Sequence, residues 1–201
     1  MWNQLLKPLY DYRPASSVMT AGLPEAAVLM PITGDSEPQL LLTLRASGLS
    51  THGGQVSFPG GHRDPEDADL AATALRETWE EIGINRYQVE LVGQLSTLVS
   101  LHGLAVTPFV GRIIGSPQLT PNADEIAAVF NVPLAFFRDQ PPECVHRLTY
   151  QKGYWYVPSY RYQRHQIWGL SAMMIVELLN VLFGAGIDMQ QEPKQFVVPQ
   201  R

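Results

Sequence analysis

The segment between Gly61 and Gly83 constrains the fold most, because a helical pattern there ends in a cluster of acids. Small and apolar residues recur every three or four positions and predict a helix from Ala68 to Ile82, with one stripe formed by Ala71, Leu75, Thr78 and Ile82. Asp67 is the expected N-cap of this helix, and Gly83 is the expected left-handed C-cap.

Three glutamates on this helix, Glu77, Glu80 and Glu81, stand at positions i, i+3 and i+4 and therefore share one face. Like charges at this spacing destabilise a helix by about 0.2–0.5 kcal/mol per pair. Anions near a helix C-terminus cost about 0.3–1 kcal/mol each. Arg76 offsets only part of this charge, whereas Mg²⁺ or Mn²⁺, which prefer hard oxygen ligands, would neutralise it. A solvated acidic face is the alternative interpretation.

The loop before the helix favours the metal site over that alternative. Gly60 and Gly61 allow backbone carbonyls to approach a metal closely, because neither carries a Cβ atom. The same loop supplies further carboxylates at Asp64, Glu66 and Asp67.

The composition is that of a globular chain with a real core: 201 residues, 45% hydrophobic and 16% charged. A net charge of −5 argues against bulk nucleic-acid binding. The single cysteine, Cys144, excludes an internal disulfide and fits a reducing compartment. No secretion signal is expected at the start, and the apolar stretch from Ile167 to Gly186 carries Glu177, which favours a buried helix over a membrane span. We therefore expect a cytoplasmic protein without a membrane partner.

Strand and helix patterns alternate along the rest of the chain and predict an α/β fold with a mixed sheet and helices on both faces. The expected elements are a short N-terminal helix around Leu5–Leu9, strands at Glu25–Met30, Gln39–Arg45, Gln55–Phe58, Val89–Val99 and Ala105–Ile114, a turn and short helix at Asn131–Phe137, a hairpin at His146–Tyr162 and a helix at Ile167–Phe183. The first two long strands are expected to form a hairpin around Gly34–Ser36.

The run from Gly60 to Ile84 resembles the signature of the Nudix hydrolases, which it matches at Arg76, Glu77, Glu80, Glu81, Gly83 and Ile84. Thr78 stands where an aliphatic residue is usual. The stretch from Gly61 to Arg76 is one residue longer than the general pattern, so Asp67 falls only approximately on the early acidic position. The resemblance implies a single Nudix domain over residues 1–201, with an N-terminal extension of about 22 residues and an α/β/α sandwich.

The resemblance also implies an activity and a set of roles. The expected reaction is hydrolysis of a nucleoside diphosphate linked to another moiety, with Mg²⁺ or Mn²⁺. The expected metal ligands are Glu77, Glu80, Glu81 and the Gly60 carbonyl, and Arg76 would orient the glutamates. Glu77 and Glu81 would thereby take part in catalysis. The candidate for an additional ligand or general base is Glu125, with Asp124 as its competitor and a solvated loop as the structural alternative.

A second motif precedes the signature: Leu41–Arg45, Leu49, His52 and Gly54–Gly61 resemble the extra motif of the coenzyme A pyrophosphatase branch. The longer spacing before Arg76 is similar to that branch as well. This resemblance implies cleavage of coenzyme A or a derivative into 3′,5′-ADP and 4′-phosphopantetheine or its acyl form.

Five residues of this region are candidates for substrate binding. Arg45, His52 and Arg63 are cations suited to phosphate. Phe58 could pack on the adenine or the pantetheine arm, and Gln55 could contact substrate. Each has a structural alternative. Arg45 could simply flank a strand, and His52 and Arg63 could be plain loop residues. Phe58 could belong to the core, and Gln55 could anchor the loop.

Two other functions stay open. One is a Nudix hydrolase for ADP-ribose, NADH or a similar substrate, and the other is a catalytically silent domain that binds a nucleotide. The intact Arg76–Glu77 and Glu80–Glu81 pairs weigh against the silent domain. In every case the expected partner is a small nucleotide rather than a nucleic acid, and the protein could be a monomer or a homodimer.

Overall fold

The computed structural model of the protein describes residues 2–14, 20–34, 36–48, 53–150 and 153–193. His52, Leu49 and part of the predicted turn around Gly34 lie outside these residues, as do residues 151 and 152 of the predicted hairpin at His146–Tyr162.

A mixed sheet forms the centre of the described structure. Its strands are β1 (Glu25–Thr33), β2 (Gln39–Arg45), β3 (Val56–Ser57), β4 (Gly60–His62), β5 (Val89–Gln94), β6 (Leu98–Val99), β7 (Ala105–Ile113) and β8 (Ile126–Pro133). Strands β1 and β7 pair in parallel from Glu25↔Ala105 to Ile32↔Arg112, and the other pairs are antiparallel. The predicted mixed sheet and the β1–β2 hairpin are therefore confirmed.

A second, three-stranded sheet follows along the chain. It consists of β9 (Cys144–Tyr150), β10 (Gly153–Tyr162) and β11 (His165–Ile167), in the order β11-β10-β9. The aromatic hairpin predicted at His146–Tyr162 corresponds to β9 and β10. Strand β11 was not expected, because three residues are too few to show a strand pattern.

Helices cover both faces of the central sheet: α1 (Trp2–Asp11), α2 (Leu70–Ile82), α3 (Leu134–Asp139) and α4 (Gly169–Phe183). Ala74 of α2 packs on Ala27 and Leu29 of β1. On the opposite face, the residues of α1 and α4 share a larger core with Leu40 and Leu42 of β2. Because alternate residues of a strand face opposite sides, the two cores are separated by the sheet, as in an α/β/α sandwich.

The apolar C-terminal stretch forms the buried helix α4, as predicted. Its buried residues include Ile175, Val176, Leu178 and Leu179. The helix begins at Gly169 rather than at Ile167, because Ile167 ends β11. No helix within the described residues is both long and apolar enough to cross a membrane.

The boundaries of α2 differ from the prediction at one end. The helix begins at Leu70, and Asp69 is the N-cap, since its Oδ1 accepts a hydrogen bond from the Ala72 N–H at 2.8 Å. Asp67 was the wrong candidate because its carboxylate is bound by Arg76. Gly83 is the predicted left-handed C-cap, with φ 77°, and donates its N–H to the Trp79 carbonyl at 2.9 Å.

Two other elements differ from the expectation. The strand predicted at Val89–Val99 is divided into β5 and β6. The short helix predicted from Asn131 starts only at Leu134, because β8 continues through Pro133 in antiparallel pairing with β2.

Candidate active site

Glu81 lies in the last turn of α2 with a side chain that is only 3% exposed. The Gly60 N–H donates to its Oε2 at 3.2 Å, and a guanidinium nitrogen of Arg45 lies 3.5 Å from its Oε1. Burial raises the pKa of Glu81 to about 7; the charges of Glu77 and Glu125 add to this rise, while Gly60 and Arg45 oppose it. Glu81 is therefore a poorly solvated carboxylate that a cation would stabilise.

Arg76 holds the acidic face together. Its guanidinium donates to both carboxylate oxygens of Asp67 at 3.0 Å, to Glu77 Oε1 at 2.9 Å and to Glu80 Oε2 at 3.0 Å. It also donates to the His62 carbonyl at 2.9 Å. The hydrogen bond to Asp67 is the largest cause that raises the pKa of Arg76. These contacts agree with an orienting role.

Asp67 is the buried anchor of Arg76. It also accepts hydrogen bonds from the Asp64 N–H at 3.0 Å and from the Thr73 hydroxyl at 2.9 Å. The hydrogen bond from Arg76 is the main reason that the pKa of Asp67 lies well below its usual range. Despite the longer spacing in the sequence, the loop therefore brings Asp67 onto the signature helix.

Glu77 packs directly on the glycine loop. A Cβ atom added at Gly61 would lie 2.5 Å from the Glu77 carboxyl carbon, and one at Gly60 would collide with the Ala27 carbonyl oxygen. Burial raises the pKa of Glu77; the charges of Glu80 and Glu125 add to this rise, while Arg76 opposes it. Glycine is thus required at Gly60 by the close approach of the β1 backbone, whereas a side chain at Gly61 would displace the Glu77 carboxylate.

Glu80 is the most exposed of the three glutamates, at 52%, and it forms an ion pair with Arg76. Within the described ranges, no three His, Cys, Asp or Glu side chains are grouped to hold one ion as they stand. In the structure, Glu77 and Glu80 are both paired with Arg76. The donor chemistry nevertheless fits a hard divalent cation, because all three donors are carboxylates.

Glu125 lies on the loop before β8, near both buried glutamates, and its charge raises the pKa of Glu77 and of Glu81. Asn122 connects it to the helix: the Asn122 N–H donates to the Glu81 carbonyl at 2.9 Å and its side-chain amide donates to Glu125 Oε1 at 3.3 Å. Asp124, the competing candidate, is exposed. Sequence reasoning missed Asn122, since only its turn character is visible without the fold.

The residues expected to bind substrate are placed differently from one another. The prediction that Phe58 packs on the substrate is wrong. Phe58 is 3% exposed and lies in the main hydrophobic core, so its side chain is not available to a substrate. Arg63 pairs with Glu25 at 2.8 Å. Gln55 accepts a backbone hydrogen bond from Arg45 at 3.0 Å, which places it beside the site. His52 lies outside the described residues.

Thr78, the departure from the usual aliphatic residue, is completely buried. Its hydroxyl donates to the Ala74 carbonyl one turn earlier at 2.6 Å. Because the hydroxyl is satisfied within the helix, the remaining methyl group can occupy an apolar position.

Comparisons with known proteins agree with this site. Residues 23–143 match the sequence model of the NUDIX domain. The uncharacterized Nudix hydrolase NudL of Photorhabdus laumondii is 42% identical over 160 residues, which cover 76% of this chain and 82% of that protein. The corresponding protein of Cronobacter sakazakii is 42% identical over 170 residues, which cover 83% and 86%.

One solved structure supports the fold alone. The MutT/nudix family protein from Enterococcus faecalis has a TM-score of 0.51 at 12% identity, covering 90% of this chain and 68% of its own. The sequence match and the close relatives together assign the family: the chain belongs to the Nudix hydrolases, enzymes that act on the pyrophosphate bond of nucleoside diphosphate derivatives.

Proposed function

We propose that this Nudix hydrolase cleaves the diphosphate of coenzyme A or its derivatives to 3′,5′-ADP and 4′-phosphopantetheine or its acyl form. One observation carries the proposal: the motif from Leu41 to Gly61 and the signature helix meet at a single carboxylate. Arg45 of that motif and Gly60, which the motif shares with the signature, both contact Glu81. The contact of Arg45 with Glu81 supports a role for this motif in the catalytic centre.

Arg45 is suited to bind the diphosphate at this position. Its guanidinium is 22% exposed and lies beside the buried carboxylate. Its Nε is buried and has no hydrogen-bond partner among the described residues. A buried donor without a partner is costly, and a phosphate oxygen would satisfy it. Gln55, Arg63 and His52 remain proposed substrate contacts.

Glu77, Glu80, Glu81 and the Gly60 carbonyl would hold Mg²⁺ or Mn²⁺. When bound, the ion supplies charge neutralisation of the diphosphate and a lowered pKa for a coordinated water. Glu77 and Glu80 would turn from Arg76 toward Glu81 to complete the ligand set. Arg76, anchored on Asp67, is paired with both of these glutamates in the structure.

Glu125 is the proposed general base or additional ligand. The Asn122 amide holds one of its carboxylate oxygens, and the other is left to accept a proton from an attacking water. Its backbone carbonyl accepts from the Ala46 N–H at 2.7 Å, so the loop is fixed next to Arg45.

A substrate panel tests the proposed activity. Coenzyme A, ADP-ribose and NADH are each incubated with the enzyme and Mg²⁺ or Mn²⁺, and with EDTA as a blank. Cleavage of coenzyme A with the highest kcat/KM supports the proposal. If coenzyme A is untouched while ADP-ribose or NADH is cleaved, the substrate assignment is wrong.

The variant Glu81→Gln separates an enzyme from a silent binding domain. It is expected to lose nearly all turnover and to retain the circular dichroism spectrum of the wild type. Glu37→Gln is the matched control, since Glu37 is exposed at the opposite end of the β1–β2 hairpin from Arg45. Unchanged turnover in Glu81→Gln would contradict the assigned site.

A further inference from the structure

A cavity of about 380 Å³ lies between residues 54–56, at the start of β3, and the turn that joins β10 to β11. Its lining includes Gly54, Gln55, Arg161, Arg164, Gln166 and Trp168. Ligand sites commonly occupy about 300–1,000 Å³, so the cavity has room for part of a nucleotide.

The cavity adjoins the proposed diphosphate site through the backbone of Arg45. The Gly54 N–H donates to the Arg45 carbonyl at 3.1 Å, and the Arg45 N–H donates to the Gln55 carbonyl at 3.0 Å. Two residues of the cavity wall are thus hydrogen-bonded to the residue whose guanidinium contacts Glu81. Leu44 lines the cavity, whereas the Arg45 side chain faces the opposite side of the strand toward Glu81, so a substrate whose diphosphate lies at Arg45 reaches the cavity around the end of β2.

The charge of the cavity is positive although the chain as a whole carries −5. Arg161 pairs with Glu143 at 2.8 Å, and both side chains are about half exposed. Arg164 is exposed and forms no ion pair with a carboxylate in the part of the chain that the structure describes. The guanidinium of Arg164 is therefore available for an anion. The guanidinium of Arg161 can also bind one, because its exposed ion pair with Glu143 is weak.

The turn that carries Arg164 is held in place. Tyr162 pairs with His165 across a two-residue turn, and Gln163 in this turn has φ 54°, a left-handed conformation that costs a non-glycine residue about 1–2 kcal/mol. His165 is buried and stacks on Phe130 of β8, with ring centroids 4.0 Å apart. His165 thus anchors one end of the turn that carries Arg164.

We propose that this cavity binds the 3′-phosphate of the ADP half of coenzyme A, with Arg164 as the main cation and Arg161 as the second. The inference rests on the proposed function, because it names a subsite for that substrate. ADP-ribose and NADH lack a 3′-phosphate, so the subsite selects coenzyme A within its class. Arg164 binds a part of the substrate that does not react, and its loss is expected to raise KM rather than lower kcat.

The test compares coenzyme A with 3′-dephospho-coenzyme A in the wild type and in Arg164→Ala. Arg164→Ala is expected to raise KM for coenzyme A by about tenfold or more, since it removes a charged hydrogen bond. Its kcat, and its KM for the dephospho substrate, are expected to stay as in the wild type. Arg164→Lys should restore part of the lost affinity.

Arg147→Ala is the matched control, because Arg147 lies on β9 of the same sheet, over the Tyr154 ring and outside the cavity lining. It should leave both substrates unaffected. Equal KM values of wild type and Arg164→Ala for coenzyme A, or an equal loss on both substrates, would overturn the subsite.

Binding distinguishes a failure of the subsite from a failure of the proposed function. The affinities of 3′,5′-ADP and 5′-AMP are measured by calorimetry in the wild type and in Arg164→Ala. A loss of affinity for 3′,5′-ADP alone supports the subsite even if the wild type fails to cleave coenzyme A, an outcome that would refute only the proposed activity. The same affinity in both proteins contradicts the subsite whatever the turnover.

Discussion

Glu81 bears a charge that the folded chain solvates poorly when no cation is bound. The pKa of Glu81 is raised from 4.5 to about 7, chiefly by burial. The native state therefore binds more protons than the unfolded state between these values, and stability falls as pH rises from about 4.5 to about 7. Above pH 7 the cost of this charge is fully present, on the order of 3 kcal/mol.

Glu81→Gln is therefore expected to be more stable than the metal-free wild type at pH 8 and to have nearly the same stability at pH 5. Glutamine removes the buried charge and keeps the shape of the side chain. Urea unfolding with EDTA at both pH values measures the difference. If the difference in unfolding free energy between Glu81→Gln and the wild type is the same at pH 5 and pH 8, the raised pKa of Glu81 is contradicted.

The pKa of Asp67 is shifted in the opposite direction, so its effect on stability also has the opposite pH dependence. Its pKa is depressed by the Arg76 hydrogen bond, so it stabilises the fold above its unfolded value of about 3.8, and this stability is lost as pH falls below that value. Asp67→Asn leaves the Arg76 charge partly buried and should cost about 3 kcal/mol at pH 7. The loss should shrink below pH 4.

The control for Asp67→Asn is Asp69→Asn. Asn serves as an N-cap about as well as Asp, so this variant should unfold at nearly the wild-type urea concentration. Similar losses in the two variants would show that Arg76 does not depend on Asp67. Turnover should also fall in Asp67→Asn alone, since Arg76 would no longer be held beside Glu77.

The element that positions the site is α2, which ends at Gly83. Gly83→Ala is expected to destabilise in two ways. The left-handed φ of 77° costs about 1–2 kcal/mol for alanine. The new Cβ would also collide with the Thr120 hydroxyl oxygen, which adds about 1–3 kcal/mol.

Comparison with Gly103→Ala isolates the cost of the collision with Thr120. Gly103 has a similar φ of 74°, but a Cβ there meets no atom within 4 Å. Thermal unfolding of the two variants should show the larger loss for Gly83→Ala, and equal losses would mean that the Thr120 contact costs nothing. The last turn of α2 carries Glu80 and Glu81, so Gly83→Ala should also reduce turnover.

Elements with strong local patterns could be predicted, whereas their partners could not. The helical spacing and the glycine after Ile82 were enough to predict α2 and its C-cap. Two aspartates precede the helix, and only the contact with Arg76, nine residues away in the sequence, decides that Asp67 is not the cap. The contact between Arg45 and Glu81 depends on how β2 packs against α2, which no local spacing shows.

Phe58 was the error that a local pattern could have prevented. Val56 and Phe58 alternate with Ser57 and are both buried, as expected for one face of a strand. The charged candidates were easier to identify by type than by position, because an arginine in a loop gives no sign of its partner. Arg164 and Asn122 drew no attention in the sequence for this reason.

On the scale of the whole molecule, the sheet brings Gly60 and Arg45 to the same carboxylate. Gly60 of β4 pairs with Val28 of β1. Arg45 is the last residue of β2, which forms a hairpin with β1 and pairs with β3 near its end. On β8, Ala127 is skipped in the pairing with β2 between Leu44 and Arg45, next to Glu125. Bulges of this kind are common beside active sites because they redirect the chain.

Product identification after hydrolysis of coenzyme A in ¹⁸O-labelled water, with Mg²⁺, tests the central claim most directly. The proposed function predicts equal amounts of 3′,5′-ADP and 4′-phosphopantetheine, with the label in one of the two phosphates, which identifies the phosphorus attacked. Intact coenzyme A, under conditions in which ADP-ribose or NADH is hydrolysed, would contradict it.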